Sequence, residues 1–175
     1  TLKALQRFDY FKRKVSKNNT NVCHILKSDV KHYFDEVNHE ILIKIINKKI
    51  KCIKTIWPIQ KILRNYKYNV EGKGMPLGNL TSQFFANVYL NELDKFVKHK
   101  LKAKYYIRYV DDFIILHSST EQLIRWKEEI NNFLIKELKL ELHPDKSKII
   151  LLNKQITFLG FRVFYYHKLL KKFNR

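Results

Sequence analysis

Acidic residues are scarce in this sequence. Its 175 residues include 35 Lys and Arg but only 16 Asp and Glu, for a formal net charge of +19 at pH 7, and residues 42–69 contain no acid at all. The length allows one domain with a real core, and the 45% hydrophobic content excludes a disordered chain. Such a charge favours polyanionic partners, because counterions are released when Lys and Arg contact a nucleic-acid backbone. An anionic membrane surface is the alternative partner.

Long apolar runs and paired cysteines are absent as well. No stretch approaches the roughly 18–20 apolar residues of a membrane-spanning helix, and no signal-peptide pattern is present. Cys23 and Cys52 lie in apolar or helical contexts, so both are predicted to be reduced thiols in or near the core. The spacing of the histidines indicates no zinc site. These features predict a cytoplasmic protein, and the start at Thr1 without a Met leads us to expect a fragment.

The apolar spacing predicts several helices. They are expected at about 1–17, 38–50, 53–65, 80–98 and from 120 onward. The expected N-caps are Asn38, Thr81 or Ser82, and Thr120, because side-chain oxygens there can accept from the first turn. Pro58 is expected to kink or restart its helix.

The stretch 105–116, Tyr-Tyr-Ile-Arg-Tyr-Val-Asp-Asp-Phe-Ile-Ile-Leu, predicts two short strands joined by a bend. Apolar residues alternate on either side of the bend. The bend itself holds Asp111 and Asp112, a residue type that strands normally avoid. Two adjacent carboxylates are costly unless a cation or solvent offsets their charge. Taken alone, the Asp111–Asp112 pair is as consistent with a solvated turn as with a cation-binding site.

A second predicted strand, 22–30, carries Asp29 near its end. Mg²⁺ in proteins usually binds one or two carboxylates together with substrate phosphates. Asp29 and Asp111 are far apart in the chain, so they would share a site only if the fold laid their strands side by side. Two-metal phosphoryl or nucleotidyl transfer needs such an arrangement, with metals roughly 3.5–4 Å apart.

Four segments of the sequence resemble the palm motifs of reverse transcriptases, in the order of that family. The resemblance runs from about residue 2 to 162, and its segments are 29–39 (Asp-Val-Lys-His-Tyr-Phe-Asp-Glu-Val-Asn-His), 74–83 (Gly-Met-Pro-Leu-Gly-Asn-Leu-Thr-Ser-Gln), 109–112 (Tyr-Val-Asp-Asp) and 158–162 (Phe-Leu-Gly-Phe-Arg). It implies an RNA-directed DNA polymerase, a nucleotidyltransferase, of bacterial, archaeal or phage origin.

The order of elements indicates an α+β fold, and the resemblance implies a right-hand polymerase palm. We expect a three- or four-stranded antiparallel, ferredoxin-like sheet with helices packed on one face, and with fingers and thumb largely absent. The palm is expected at 1–164, including an N-terminal helix and turn at 1–21 and primer-grip strands at 153–164. A basic tail at 165–175 would lead toward the missing thumb.

The resemblance implies two Mg²⁺ ions, with Mn²⁺ as a substitute, at the carboxylates. Asp29 and Asp111 would bind both ions, helped by the backbone carbonyl of Val30, and Asp112 would be the less direct ligand. A primer 3′-hydroxyl would attack the α-phosphate of a dNTP, and pyrophosphate would leave.

A lysine that protonates the leaving pyrophosphate is also implied by the resemblance. Lys146 matches its place best and Lys148 is second, and general-acid catalysis contributes roughly 10²–10⁴-fold. A solvated loop lysine is the alternative.

The resemblance also implies contacts to nucleotide and primer. Phe34 would lie under the sugar and exclude a 2′-hydroxyl; without the resemblance, a core aromatic is favoured. Lys31 would approach phosphate or be solvated. The implied nucleotide-binding residues are Lys31, Phe34, Leu77, Gly78, Ser82 and Gln83. The implied primer and template contacts are Phe158, Leu159, Gly160, Phe161 and Arg162, for which an edge sheet is the alternative.

Leu77 and Gln83 depart from the commonest pattern, since retroviral and intron-type enzymes usually carry Gln and Pro there. Leu77 followed by 78–83 resembles the diversity-generating retroelement branch. An aliphatic side chain cannot hydrogen-bond the nucleotide, so we expect looser positioning and error-prone copying, with misincorporation opposite template adenines implied by the resemblance.

The expected partners are an RNA template, a DNA primer, dNTPs and a small accessory protein, with no membrane. The alternatives are a group II intron or retron enzyme, a viral-type RNA polymerase, and an inactive, basic RNA-binding palm.

Overall fold

The computed structural model describes residues 2–65, 70–76 and 78–171. Its α-helices are α1 Leu2–Val15, α2 Tyr33–Glu36, α3 His39–Asn47, α4 Ile53–Arg64, α5 Leu80–Lys95 and α6 Thr120–Phe133. Two π-helical turns, Phe96–Lys100 and Leu134–Leu138, extend α5 and α6. The strands are β1 His24–Asp29, β2 Tyr106–Tyr109, β3 Asp112–His117, β4 Lys148–Leu151, β5 Ile156–Phe158, β6 Phe161–Val163 and β7 Lys168–Leu170. None of the described helices is long and apolar enough to cross a bilayer.

The main sheet has four strands in the order β2-β3-β1-β4, and every neighbouring pair is antiparallel. The two stretches that carry the predicted carboxylates are therefore adjacent strands, with Asp29 opposite Asp112 in the register. This confirms the predicted α+β class and four-stranded antiparallel sheet.

Both faces of this sheet are covered by other elements. Successive side chains of a strand point to opposite faces, so neighbouring residues of β3 enter different cores. Phe113 and Ile115 of β3 belong to the larger apolar core, together with side chains of α3, α5 and α6. Ile114 belongs to a second core with Phe8 of α1 and Phe158 of β5. Helices therefore pack on both faces of the sheet. The helices α3, α5 and α6 form the expected layer on one face, and α1 covers the opposite face.

A second, three-stranded antiparallel sheet has the order β5-β6-β7. The β5–β6 hairpin turns at Leu159 and Gly160, whose φ angles of 52° and 80° are both left-handed. A two-residue hairpin turn with this geometry matches the twist of its strands, and glycine adopts it without strain. Strand β7, in the stretch expected as a tail, pairs with β6.

Two of the expected helix caps were wrong by one or more residues. The Asn79 side chain, rather than Thr81 or Ser82, caps α5 by accepting from the Thr81 amide. Ser119, rather than Thr120, caps α6 by accepting from the Gln122 amide. Both caps have the extended backbone that an N-cap needs. The remaining expectation, Asn38 as the cap of α3, is confirmed.

Three further local expectations are corrected in part by the structure or fall on residues outside the described ranges. Helix α4 runs through Pro58 without restarting, so only the expected kink stays a prediction. Cys52 is exposed just before α4 and is not a core thiol, whereas Cys23 is buried as expected; both are free. The sequence also predicts a hairpin at 66–75 with its turn at 71–74; residues 66–69 lie outside the described residues, and Lys73 forms a single bridge with Asn38.

Candidate active site at the ends of β1 and β3

The carboxylate cluster, Asp29, Asp111 and Asp112, lies where β1 ends and β3 begins. The register places Asp29 opposite Asp112. The backbone amide that follows Asp29, that of Val30, donates to the carbonyl of Asp111 at 3.3 Å. On the other side of β1, the His143 amide donates to the Asp29 carbonyl at 2.8 Å. The fold therefore brings together residues that are far apart in the sequence, as the shared-site hypothesis required.

Negative charge in the carboxylate cluster is only partly offset. Burial raises the pKa of Asp111, and the Asp29 charge adds to that rise. Burial also raises the pKa of Asp112 to about 6, with further repulsion from Asp29 and Asp111. Like charges that share a partly desolvated site favour proton or cation uptake. The cluster is thus a place where a bound cation would be stabilising.

Two lysines contact the carboxylate cluster. Lys146 Nζ lies 3.5 Å from Asp29 Oδ1, and Lys27 Nζ lies 3.8 Å from Asp112 Oδ1. The Lys146 side chain is 58% exposed, so it is free to reach toward a ligand over the cluster. The structure thus places the candidate general acid beside the candidate metal ligands. Lys148, the second candidate, is opposite Lys27 in the β4–β1 register.

The donor set fits a divalent cation that is shared with a substrate. Asp112 Oδ1 is buried without a hydrogen-bond partner, and carboxylate oxygens are the ligands that Mg²⁺ prefers. Across the described residues, no three His, Cys, Asp or Glu side chains lie so that they could hold a metal ion by themselves. Mg²⁺ usually completes its coordination with phosphate and water. The cluster fits that open type of site, and the role of the Val30 carbonyl stays a prediction.

Replacing Asp112 by Asn is expected to stabilise the metal-free chain at pH 7.5 by about 1 kcal/mol, allowing for solvent screening. The folded-state pKa of about 6 lies above the ordinary value of 3.8, so the ionised carboxylate costs stability at high pH. That cost disappears as the pH falls through 6 toward 4. Urea unfolding of both proteins at pH 7.5 and pH 5 measures the difference, which should shrink at pH 5.

Added Mg²⁺ provides the control for this prediction. It should stabilise the wild-type chain at pH 7.5 more than the Asp112→Asn variant, since the variant has lost one carboxylate. An advantage of the variant that is the same at both pH values would show that the ionised Asp112 does not cost stability.

The segments predicted to bind nucleotide adjoin one another. The Met75 amide donates to the Phe34 carbonyl at 2.7 Å, and the Gly74 amide donates to the Val37 carbonyl at 2.9 Å. Phe34 is half-buried and packs edge-on against the Tyr33 ring at 5.4 Å. Gly78 has a left-handed φ of 81° with open space around it. This contact between two distant motifs was not visible in the sequence.

Other predicted nucleotide residues take different environments. Ser82 is buried in α5 at 2% exposure, whereas Gln83 is exposed. Lys31 forms an exposed ion pair with Glu141 at 2.5 Å, a partner that sequence analysis missed. Leu77 lies outside the described residues.

The predicted primer-grip residues occupy the β5–β6 hairpin, on the smaller sheet. Phe158 is fully buried and packs edge-on against Phe8 of α1 at 5.8 Å. Arg162 and Gly160 are exposed, while Leu159 and Phe161 are half-buried. The Phe158 side chain is therefore unavailable to a primer, and any contact at that position would involve its backbone.

The family described as "Reverse transcriptase (RNA-dependent DNA polymerase)" matches residues 2–163. A curated relative, the group II intron-encoded protein LtrA of Lactococcus lactis subsp. cremoris, is 28% identical over an alignment that covers 79% of this chain and 34% of the relative. Protein YkfC of Escherichia coli K12 is 26% identical, covering 86% of this chain and 48% of that protein. The chain thus spans about a third to a half of these relatives.

Among solved structures, telomerase from Candida tropicalis, in complex with the TWJ fragment of telomeric RNA, has a similar fold. The TM-score is 0.75 at 18% identity, covering all of this chain and 34% of that one. At this identity the likeness concerns the fold alone, and it confirms the predicted fold class.

Proposed function

The chain belongs to the reverse transcriptase (RNA-dependent DNA polymerase) family, and we propose that it is the palm of an RNA-directed DNA polymerase. The observation that carries the proposal is the carboxylate cluster, which the fold assembles from two adjacent strands with Lys146 3.5 Å from Asp29. Family membership and this convergence together favour nucleotidyl transfer over any other chemistry for the site.

In the proposed reaction, Asp29 and Asp111 would hold the divalent cations, and Asp112 would be the less direct ligand. When bound, such ions lower the pKa of an attacking hydroxyl and neutralise charge on the phosphate. Lys146 lies over Asp29, where its ammonium can stabilise the departing pyrophosphate and give it a proton. Lys27, 3.8 Å from Asp112 Oδ1, offsets part of the charge of Asp112.

On the nucleotide side, we place the sugar of the incoming dNTP against Phe34. The hydrogen bond between the Phe34 carbonyl and the Met75 amide holds α2 against the segment that leads to Gly78. A half-buried ring supported by Tyr33 has little freedom to move away from a 2′-hydroxyl. This arrangement would favour dNTPs over rNTPs.

The RNA template and the DNA primer are proposed to use the basic surfaces of the chain. The described part of the stretch without acids includes seven cationic side chains: Lys44, Lys48, Lys49, Lys51, Lys54, Lys61 and Arg64. Lys48 also pairs with Glu92 at 3.4 Å. Contacts of this kind supply affinity without base specificity, and a small accessory protein is a further proposed partner.

Primer extension tests the proposed function. A protein that carries this chain should extend a DNA primer on an RNA template with dNTPs and Mg²⁺ or Mn²⁺, and should use rNTPs poorly. The second candidate is an RNA-binding palm without catalysis, which the net charge of +19 favours. Salt-sensitive RNA binding without extension, in this chain and in any longer natural protein that carries it, would support that second function.

For the fidelity of copying and the branch of the family, we propose error-prone copying of the kind associated with the diversity-generating retroelement branch. Leu77 with Gly78 and Gln83 supports this, because an aliphatic side chain offers no hydrogen bond to hold the nucleotide. An enzyme of the group II intron type is the alternative, and the similarity to the intron-encoded protein LtrA favours it.

Replacing Leu77 by Gln is expected to lower misincorporation opposite template adenines by about 10-fold. A satisfied polar contact contributes about 1.4 kcal/mol, which corresponds to that factor. Sequencing of products copied from one RNA template measures the error spectrum. Leu80→Gln, at an exposed leucine three residues on, is the matched control and should leave the spectrum unchanged. Equal adenine errors in the wild-type and Leu77→Gln proteins would contradict the error-prone proposal.

A further inference from the structure

The turn that carries Asp111 has a costly backbone conformation. Val110 has a φ of 57°, in the left-handed region. A β-branched residue is a genuine outlier there. Such a conformation persists only where surrounding contacts determine it. Something outside the turn must therefore hold Val110, and through it Asp111, in place.

Besides the Val30 amide, which bonds the Asp111 carbonyl, Arg108 contacts the turn. It lies on β2, and its Nη1 donates to the carbonyl of Val110 at 2.8 Å. The same nitrogen donates to Asn87 Oδ1 of α5 at 3.2 Å. One guanidinium nitrogen thus connects the peptide immediately before Asp111 to helix α5.

Asp94 of α5 fixes the orientation of the guanidinium. Arg108 Nε donates to Asp94 Oδ1 at 2.8 Å, and Nη2 donates to Asp94 Oδ2 at 2.6 Å. Tyr106 donates its hydroxyl proton to Asp94 Oδ1 at 2.7 Å. The Arg108 side chain is only 9% exposed, so solvent competes little with these bonds. This bidentate, charge-assisted geometry is specific to arginine.

We propose that Arg108, oriented by Asp94 and Asn87 of α5, is a positioning residue that sets the place of the Asp111 carboxylate by holding the Val110 carbonyl. The inference rests on the proposed function, because it assigns Arg108 a role toward the metal ligands. It also couples two parts of the site: α5 begins beside the proposed nucleotide segment, and the turn lies on the metal side.

A merely structural role is the alternative, since a buried ion pair also fastens α5 to β2. The two roles differ in what a lysine at this position would change. Lysine keeps the positive charge and much of the packing, but its single nitrogen cannot reproduce the two-pronged bond to Asp94 together with the bond to the Val110 carbonyl. A structural role would change only stability, whereas a positioning role would also change affinity for a divalent cation.

The test compares Mn²⁺ binding by this chain, followed through the electron paramagnetic resonance signal of free Mn²⁺, with unfolding in urea. Arg108→Lys should weaken Mn²⁺ binding by about 10-fold or more, the usual effect of losing a partner that orients metal ligands. The control is Lys168→Met, which removes the ion pair with Asp9 far from the cluster. That variant should lose stability and keep wild-type Mn²⁺ affinity.

Asp111→Asn separates failure of this inference from failure of the proposed function. If wild type and Asp111→Asn bind Mn²⁺ equally, the cluster is not a metal site and the proposed function fails. If Asp111→Asn weakens binding and Arg108→Lys does not, only the positioning role is overturned.

Should Arg108→Lys not fold, Asn87→Ala provides the same test. Asn87 is exposed and contributes one of the bonds to Nη1, so the variant should fold. A smaller loss of Mn²⁺ affinity supports the inference, and an unchanged affinity overturns it.

Discussion

Replacing Asp111 by Asn is expected to reduce primer extension by about 10³-fold or more, which corresponds to about 4 kcal/mol of barrier. The substitution keeps the size of the side chain and removes its negative charge. Asp111 sits on a turn held by Arg108, one residue before Asp112, which pairs with Asp29 across the β1–β3 ladder. No other carboxylate on that turn takes its place, because Asp112 follows on β3 with its own lysine partner, Lys27. Single-turnover addition of one dNMP to a labelled primer measures the effect.

Asp145→Asn is the matched control for this experiment. It removes the same charge from an exposed position beside Lys146, outside the carboxylate cluster. We expect extension within about 3-fold of wild type, since an exposed charge outside the cluster is screened by water and salt. Equal rates of primer extension by the wild-type and Asp111→Asn proteins would contradict the metal role of this residue.

Replacing Phe8 by Ala is expected to destabilise the chain by about 3–5 kcal/mol, the usual cost of truncating a buried phenylalanine. Phe8 is 0% exposed and packs against Phe158 in the core between α1 and the main sheet. The cavity left behind would loosen α1 and the β5–β6 hairpin together. Urea unfolding followed by circular dichroism measures the loss.

Tyr10→Ala, on the same helix, is the matched control. Tyr10 is 57% exposed, so its truncation should cost less than about 1 kcal/mol. Similar losses for Phe8→Ala and Tyr10→Ala would indicate that α1 does not depend on the Phe8–Phe158 contact. A wild-type unfolding midpoint for Phe8→Ala would show that the second core contributes little.

Local sequence patterns predicted most elements correctly. Strands β1, β2 and β3 followed from apolar alternation, and α1, α3 and α6 from apolar spacing. Errors arose at helix starts, where Asn79 and Ser119 each precede another residue that is able to cap. The sequence shows which residues are able to cap a helix. Which of them does so depends on the backbone dihedral angles of the folded chain.

Contacts between distant segments were the part that sequence reasoning missed. Arg108 in a strand and Asp94 in a helix carried no sign that they pair, since fourteen positions separate them. Exposure of Cys52 and burial of Phe158 were likewise set by neighbours that the local pattern does not name. Packing of one element against another decides both burial and the partner of a charged side chain.

By itself, the sequence determined which chemical groups this protein has and in which order they occur: three carboxylates near strand ends, an excess of cations, and four ordered motifs. Only the tertiary structure decided that Asp29 lies opposite Asp112, that Lys146 reaches Asp29, and that Arg108 links α5 to the turn before Asp111. The physical reason is that residue types and local periodicity depend on near neighbours along the chain. Convergence of distant groups depends on strand register and on burial of both sheet faces.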